Sequence, residues 1–242
     1  MYKVYPKIIL ACLLLVMTDT VYSQRVTQTI NGGWKFSLFE GDASTADFDI
    51  SGWTDVSIPH TWNAKDADDE IPGYFRGKGW YRKVVAVEEL IPEQRVYLSF
   101  EGANQETNVF VNGTFVGNHK GGYSAFTFDV TDYVHAGRNL IAVSVDNSHH
   151  PDIAPLSADF TFFGGIYRDV YLVYTSPVQL STTHYASSGV YLKASKITDL
   201  QADISVKTFL SNALKSNQSL ILETEILDAD GNRVALSQKK VN

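Results

Sequence analysis

The sequence has 242 residues, of which 44% are hydrophobic and 19% charged, with a formal net charge of −7 and one cysteine. That acidic balance excludes a nucleic-acid binder driven by phosphate contacts, which needs a basic surface. A lone thiol excludes an internal disulfide, a zinc–thiolate site and an iron–sulfur cluster, and the length admits one large or two small domains.

The N-terminus reads as a secretory leader. Residues 8–17 form an unbroken apolar run behind Lys3 and Lys7. A bilayer span needs about 20 such residues, so a permanent membrane helix is not expected. Val21 and Ser23 place cleavage after Ser23, leaving roughly 220 residues and removing Cys12. With it goes any cysteine nucleophile. Ile9-Leu10-Ala11-Cys12 resembles a lipoprotein box, but only three apolar residues separate Lys7 from Ala11 and the run continues past the cysteine. A secreted or periplasmic protein without a lipid on Cys12 is therefore the expectation.

Beyond the leader the pattern has period two, as for strands with one buried face. In residues 95–100, Val96, Leu98 and Phe100 point one way, Tyr97 and Ser99 the other. Residues 107–111 and 114–116 flank Asn112-Gly113, which supplies the two positive-φ positions of a type I′ hairpin turn. Alternation continues over 125–130, 140–145 and 165–174, with turn chemistry at Asp132, Gly137, Asn147 and Pro151. No helical stripe persists between Arg25 and Thr175, although 45–50 could form a helical turn. Residues 24–176 are thus expected to form a β-sandwich.

The composition changes after Ser176-Pro177. Residues 199–242 hold one aromatic, Phe209. Ile204, Val206, Thr208 and Leu210 alternate, then Leu220, Leu222, Thr224 and Ile226, with a turn at Asp230-Gly231 before 233–237. These read as the opening strands of a second sandwich. An immunoglobulin-like domain needs about 100 residues, so 177–242 is expected to be an incomplete one.

Signatures of several enzyme classes are absent: G-x-S-x-G, H-E-x-x-H, G-x-x-x-x-G-K-[ST] and, after a strand, G-x-G-x-x-G. Asp66, Asp68, Asp69 and Glu70 crowd one loop, but their spacing lacks the EF-hand glycine and terminal glutamate. His149, His150 and Asp152 have no second ligand cluster to join. No metal site is assigned. The sequons at Asn112 and Asn217 are read as structural. Glycoside cleavage needs two carboxyls facing each other across the bond, and no pattern here selects a pair. The aromatics Trp34, Trp53, Trp62, Trp80, Tyr74, Phe75, Tyr81, Tyr123, Phe160, Phe162, Phe163 and Tyr167 could offer flat faces to sugar rings, with burial the commoner fate of each tryptophan.

Taken together, seven segments carry a family resemblance: 31–36 (Asn-Gly-Gly-Trp-Lys-Phe), 58–62 (Ile-Pro-His-Thr-Trp), 79–83 (Gly-Trp-Tyr-Arg-Lys), 108–113 (Asn-Val-Phe-Val-Asn-Gly), 117–123 (Gly-Asn-His-Lys-Gly-Gly-Tyr), 145–147 (Val-Asp-Asn) and 163–170 (Phe-Gly-Gly-Ile-Tyr-Arg-Asp-Val). In order and spacing they resemble the N-terminal sugar-binding domain of glycoside hydrolase family 2, the β-galactosidase, β-glucuronidase and β-mannosidase family. The resemblance implies an all-β chain: a jelly-roll sandwich over 24–176, then a truncated immunoglobulin-like sandwich over 177–242. It also implies a catalytic TIM barrel that performs retaining hydrolysis with two glutamates. A barrel takes about 250 residues, and the family's Asn-Glu dipeptide does not occur in the sequence.

The resemblance therefore implies the N-terminal, non-catalytic part of a β-galactosidase-like exo-β-glycosidase, with no catalytic residue in this sequence. A stand-alone carbohydrate-binding module is the alternative. Asp159 matches an aspartate that reaches from the jelly roll towards the terminal sugar or a nearby cation, and Phe160 could shape the wall. His60 and Trp62 are further substrate-binding candidates. Arg82 and Arg168 are read as ion-paired or loop-capping, Gly164 and Gly165 as backbone requirements. The implied partner is a β-linked glycoside. No cofactor is implied within this sequence, a monovalent or divalent cation and homo-oligomerisation being left open for the full enzyme.

Overall fold

The computed structural model describes residues 25–66 and 73–242. The leader, Cys12 and the acidic residues Asp68, Asp69 and Glu70 lie outside the described residues. Ten strands make the first part of the chain: β1 (Val26–Thr29), β2 (Trp34–Leu38), β3 (Thr54–Val56), β4 (Lys78–Val87), β5 (Arg95–Phe100), β6 (Glu106–Val111), β7 (Thr114–Lys120), β8 (Phe126–Asp129), β9 (Gly137–Asp146) and β10 (Val170–Thr175). They form two antiparallel sheets of order β1-β10-β5-β8 and β3-β2-β4-β9-β6-β7. From β4 onward the chain crosses repeatedly between the two sheets of the sandwich, with β2 and β3 extending one edge.

Alternation explains the core. Val96, Leu98 and Phe100 of β5 are fully buried and meet Val109, Val143, Val145 and Tyr81 from the larger sheet. Each buried Val, Leu or Phe contributes about 1.5–3 kcal/mol relative to exposure. Phe100 stacks on Phe126 at 4.8 Å, and buried Trp34 donates its indole N–H to Ile30 O at 2.7 Å. At the hairpin, Asn112 and Gly113 take φ of 51° and 80°, the left-handed pair a type I′ turn demands.

β4 is covered on both faces, which obscures its alternation. Tyr81 points into the core, while Trp80 and Arg82 point outward beneath the loop after β2. Trp80 donates its indole N–H to Gly41 O at 3.0 Å and Arg82 Nη1 donates to Ala43 O at 2.9 Å, its guanidinium 5.9 Å from the Phe48 ring centroid. Arg82 thus caps a loop, one of the two roles expected of it. The segment 45–50 is a turn closed by Phe48 N–H donating to Thr45 O, not a helical one. The helical turn among the described residues is the 3₁₀ segment Thr131–Tyr133.

The strand expected over 165–174 begins only at Val170. Gly165 has φ of +120° and forms a single bridge with Asn104, because at that point the chain must pass His60 and Tyr81 closely.

Six further strands follow: β11 (Val178–Leu180), β12 (Val190–Ser195), β13 (Asp203–Thr208), β14 (Leu210–Asn212), β15 (Leu220–Leu227) and β16 (Arg233–Val241). They pair as β11-β14, β12-β13 and β15-β16. Along β15 the expected alternation holds, with Leu220, Leu222, Thr224 and Ile226 half-buried and their neighbours exposed. Yet no hydrophobic side chain beyond Val173 is buried among the described residues. A cavity of about 860 Å³ separates β13 from β15 and β16, lined by Ile204, Val206, Leu222, Ile226 and Leu236. Among the described residues these strands form three separate two-stranded sheets.

Candidate functional site

At one end of the sandwich, segments near 60–66, 73–77, 146–148 and 159–167 are joined by buried amides. Asn147, fully buried, donates from Nδ2 to Asn63 Oδ1 at 3.2 Å and to Phe162 O at 3.0 Å, while its Oδ1 accepts from Gly77 N–H at 2.9 Å. Asn63 Oδ1 also accepts from Gly164 N–H at 2.6 Å, and its Nδ2 donates to Phe75 O and to Asp66 Oδ2. Asp66 further accepts from Phe75 N–H at 2.7 Å. The acidic loop thus spends its first carboxylate on closing its own base. Arg76 Nε donates to Asn147 O, and its guanidinium lies 5.3 Å from the Phe162 ring centroid.

Beneath this knot, His60 Nδ1 and the Tyr81 hydroxyl are 2.8 Å apart. Which of the two donates is set by the imidazole tautomer. Burial pushes the His60 pKa down and that of Tyr81 well above its ordinary value, so both are neutral at pH 7. Trp62 stacks on Phe36, interplanar angle 12°, and a Cβ on Gly164 would lie 2.1 Å from its Cζ2. His60 and Trp62 are half-buried and pack under the loop against Phe36.

Asp159 and Phe160 do face solvent. Asp159 is exposed and its carboxylate has no hydrogen-bond partner among the described residues. Phe160 is 54% exposed and Phe163 48%, whereas Phe162 between them is buried and makes edge contacts with Phe160 and Tyr74. Phe162 anchors the segment and lets its neighbours project. None of the four tryptophans is exposed: Trp34 and Trp80 are buried, Trp53 and Trp62 half-buried. The outward aromatics are phenylalanines and tyrosines. Arg168 is exposed and lies over Tyr167 at 5.9 Å, with neither an ion pair nor a side-chain hydrogen bond among the described residues.

A cleft of about 320 Å³ opens beside the projecting rings. Phe160, Phe163 and Tyr123 wall it, Asn104 and Tyr167 underlie it, and Thr61 and Thr161 complete its lining. Asn104 is buried and donates to Phe163 O at 2.9 Å, and the Tyr167 hydroxyl donates to Gly122 O. Sequence reasoning assigned no role to Asn63, Asn104 or Asn147 in this region. Asn147 stood inside the 145–147 segment, a signal that read as a turn. His149, His150 and Asp152 do not converge on a shared point: His150 Nε2 instead lies 3.9 Å from Glu106.

A family model described as "Glycosyl hydrolases family 2, sugar binding domain" matches residues 27–177. A β-glucuronidase of Bacteroides fragilis is 35% identical over 231 residues, covering 94% of this chain and 31% of the relative. A β-galactosidase of Thermoanaerobacter pseudethanolicus is 39% identical over 200 residues, covering 78% and 25%. Among solved structures, Bacteroides uniformis β-glucuronidase 2, covalently bound to cyclophellitol-6-carboxylate aziridine, superposes with a TM-score of 0.85 at 38% identity, covering 90% of this chain and 26% of that one. The chain spans less than a third of the length of these relatives. With its two-sheet sandwich and the segments that knot its loop end, the chain belongs to glycosyl hydrolases family 2, through the sugar-binding domain of that family.

Proposed function

We propose that the chain is the N-terminal, non-catalytic part of a secreted, retaining exo-β-glycosidase, with Asp159 contributing to a sugar site completed by residues outside it. The observation that carries this reading is the contrast around residue 159. An exposed carboxylate with no hydrogen-bond partner among the described residues projects from a segment that hydrogen bonds tie to the Asn63–Asn147 pair through Phe162 O and Gly164 N–H. Such a carboxylate can take two sugar hydroxyls at once. The relatives named β-glucuronidase and β-galactosidase support the reaction class. In this reading the sandwich ends near Ser176-Pro177, the strands after it open an immunoglobulin-like domain, and the leader is cleaved after Ser23.

The test is an assay of nitrophenyl β-galactoside and β-glucuronide hydrolysis by the full-length protein and by the 242-residue chain. Turnover by the former and background rates from the latter support the reading. Turnover by the chain itself overturns it. N-terminal sequencing of exported protein checks the cleavage site.

A further inference from the structure

We propose that the Tyr97 hydroxyl and the Gln179 side chain form a latch: closed, it fixes residues 177–242 against the outer face of the smaller sheet, and opened, it lets them hinge about Ser176 while the sandwich stays folded. Neither the hydrolytic reaction nor Asp159 enters it.

The joint between the two parts is thin. No strand of the sandwich pairs with a strand after Pro177, and among the described residues two side-chain hydrogen bonds cross from one part to the other. One, from Arg25 Nη2 to Leu180 O at 2.9 Å, is exposed. The other is buried: Gln179 Nε2 donates to the Tyr97 hydroxyl at 2.5 Å, and each residue is 4% exposed. Apolar packing adds little here, since Val178 and Leu180 on either side of Gln179 are only half-buried and no hydrophobic side chain beyond Val173 is buried among the described residues.

The covered residues at this joint are polar. Tyr97 stands on the face of β5 turned away from the core, between Val96 and Leu98, which point into it. Thr175, which ends β10, and Thr182 flank Gln179 in sequence and are buried as well. A seam of this kind favours one orientation, because any shift strands the Gln179 amide away from its partner, whereas an apolar seam tolerates sliding. It is also weakly held. Gln179 Oε1, Thr175 Oγ1 and Thr182 Oγ1 have no hydrogen-bond partner among the described residues, and each gains water when the seam parts, which offsets the loss of the bond to Tyr97.

The pivot is a single residue. Thr175 is paired with Arg95 in the sandwich, and Pro177 O already accepts the Ala213 N–H of the following part, which leaves Ser176 between them. Gln179 lies opposite Ser211 in the β11-β14 pair, so the bond that holds Gln179 holds both strands. The proline restricts Ser176 to extended conformations, so the motion released is a hinge of limited range.

Residual dipolar couplings of the backbone amides in the 242-residue chain test the latch. In the parent, one alignment tensor should fit residues 25–176 and 177–242 alike. Tyr97→Phe keeps the buried ring and removes the hydroxyl, while Gln179→Met keeps the side-chain length and removes the amide. Each should lower the alignment of 177–242 by about a third or more relative to the sandwich, as hinge motion averages the couplings. The double variant should match either single one, because both remove the same bond. Gln179 lies outside the sandwich, so the sandwich couplings of Gln179→Met should match the parent, and that variant decides alone if Tyr97→Phe disturbs the sandwich. Separate tensors in the parent overturn the latch, since the two parts then move apart with the bond in place. A single tensor in Gln179→Met overturns it too and assigns the fixed orientation to the backbone around Ser176.

Discussion

Asn63 and Asn147, 84 residues apart in the chain, meet through their side-chain amides in the buried interior of the loop end. Asn147→Ala removes the acceptor for Gly77 N–H and the donor to Phe162 O. Unpaired buried groups cost about 1–3 kcal/mol each, so urea unfolding should show a loss of about 2–4 kcal/mol. A double-mutant cycle with Asn63→Ala should give less than the sum of the single losses, because the two share partners.

Gly165→Ala should be among the most damaging small changes in the sandwich. A Cβ there would lie 2.6 Å from both His60 O and the Tyr81 hydroxyl, at a φ of +120° that only glycine adopts comfortably. A loss of about 3 kcal/mol or more in thermal unfolding is expected. Gly32→Ala, where nothing lies within 4 Å, should stay within about 0.5 kcal/mol.

Stability should fall as pH drops below the ordinary imidazole pKa of 6.5. Burial lowers the pKa of His60 and of His119, which stacks on Phe126, so the unfolded chain takes up protons that the folded one refuses. That makes ∂ΔG/∂pH positive from 6.5 down to the lower folded values, by at most about 1.4 kcal/mol per pH unit for each imidazole. His60→Asn, whose amide can bond the Tyr81 hydroxyl in either role in place of Nδ1, should flatten the slope. Unfolding free energies measured between pH 5 and 8 check both statements.

Asp159→Asn in the full-length protein should lower kcat/KM for a nitrophenyl β-glycoside at least tenfold, about 1.4 kcal/mol of transition-state binding. Stability should change by no more than about 0.5 kcal/mol, since the carboxylate is exposed and has no hydrogen-bond partner among the described residues. An unchanged kcat/KM would remove Asp159 from the site.

Leu98→Ala and Leu222→Ala separate the two halves of the chain. Leu98 is fully buried between the sheets, and its truncation should cost about 3 kcal/mol. Leu222 is half-buried against a cavity, and in the 242-residue chain its loss should cost less than about 1 kcal/mol. Denaturation followed by probes in each half distinguishes them.

Local rules made part of this molecule legible. Asn112-Gly113 announces its hairpin because few residues accept two positive φ angles. β15 shows plain alternation because one face is partly covered and the other is not, whereas β5 alternates in residue type, its outward Tyr97 being buried as well. β4 hid itself because the loop after β2 buries Trp80 and Arg82 while the core buries Tyr81. The onset of β10 was misjudged by five residues, since apolar Ile166 suggests a strand while Gly165 must sit against His60 and Tyr81. In the candidate site, the projecting residues Asp159 and Phe160 were visible through the family pattern. The amides that hold them were not: a buried asparagine looks like any turn residue until its partner, tens of residues away, is known.

The pairing of β1 with β10 has a consequence for biosynthesis. Val26 lies opposite Tyr174, so β1 has no partner until about 150 further residues have been made. At translation rates of about 5–20 residues per second, that strand waits roughly 7–30 s as an unpaired edge. A nascent chain of this design cannot close its smaller sheet piecemeal. It must be kept from pairing wrongly until the last strand of the sandwich has left the ribosome.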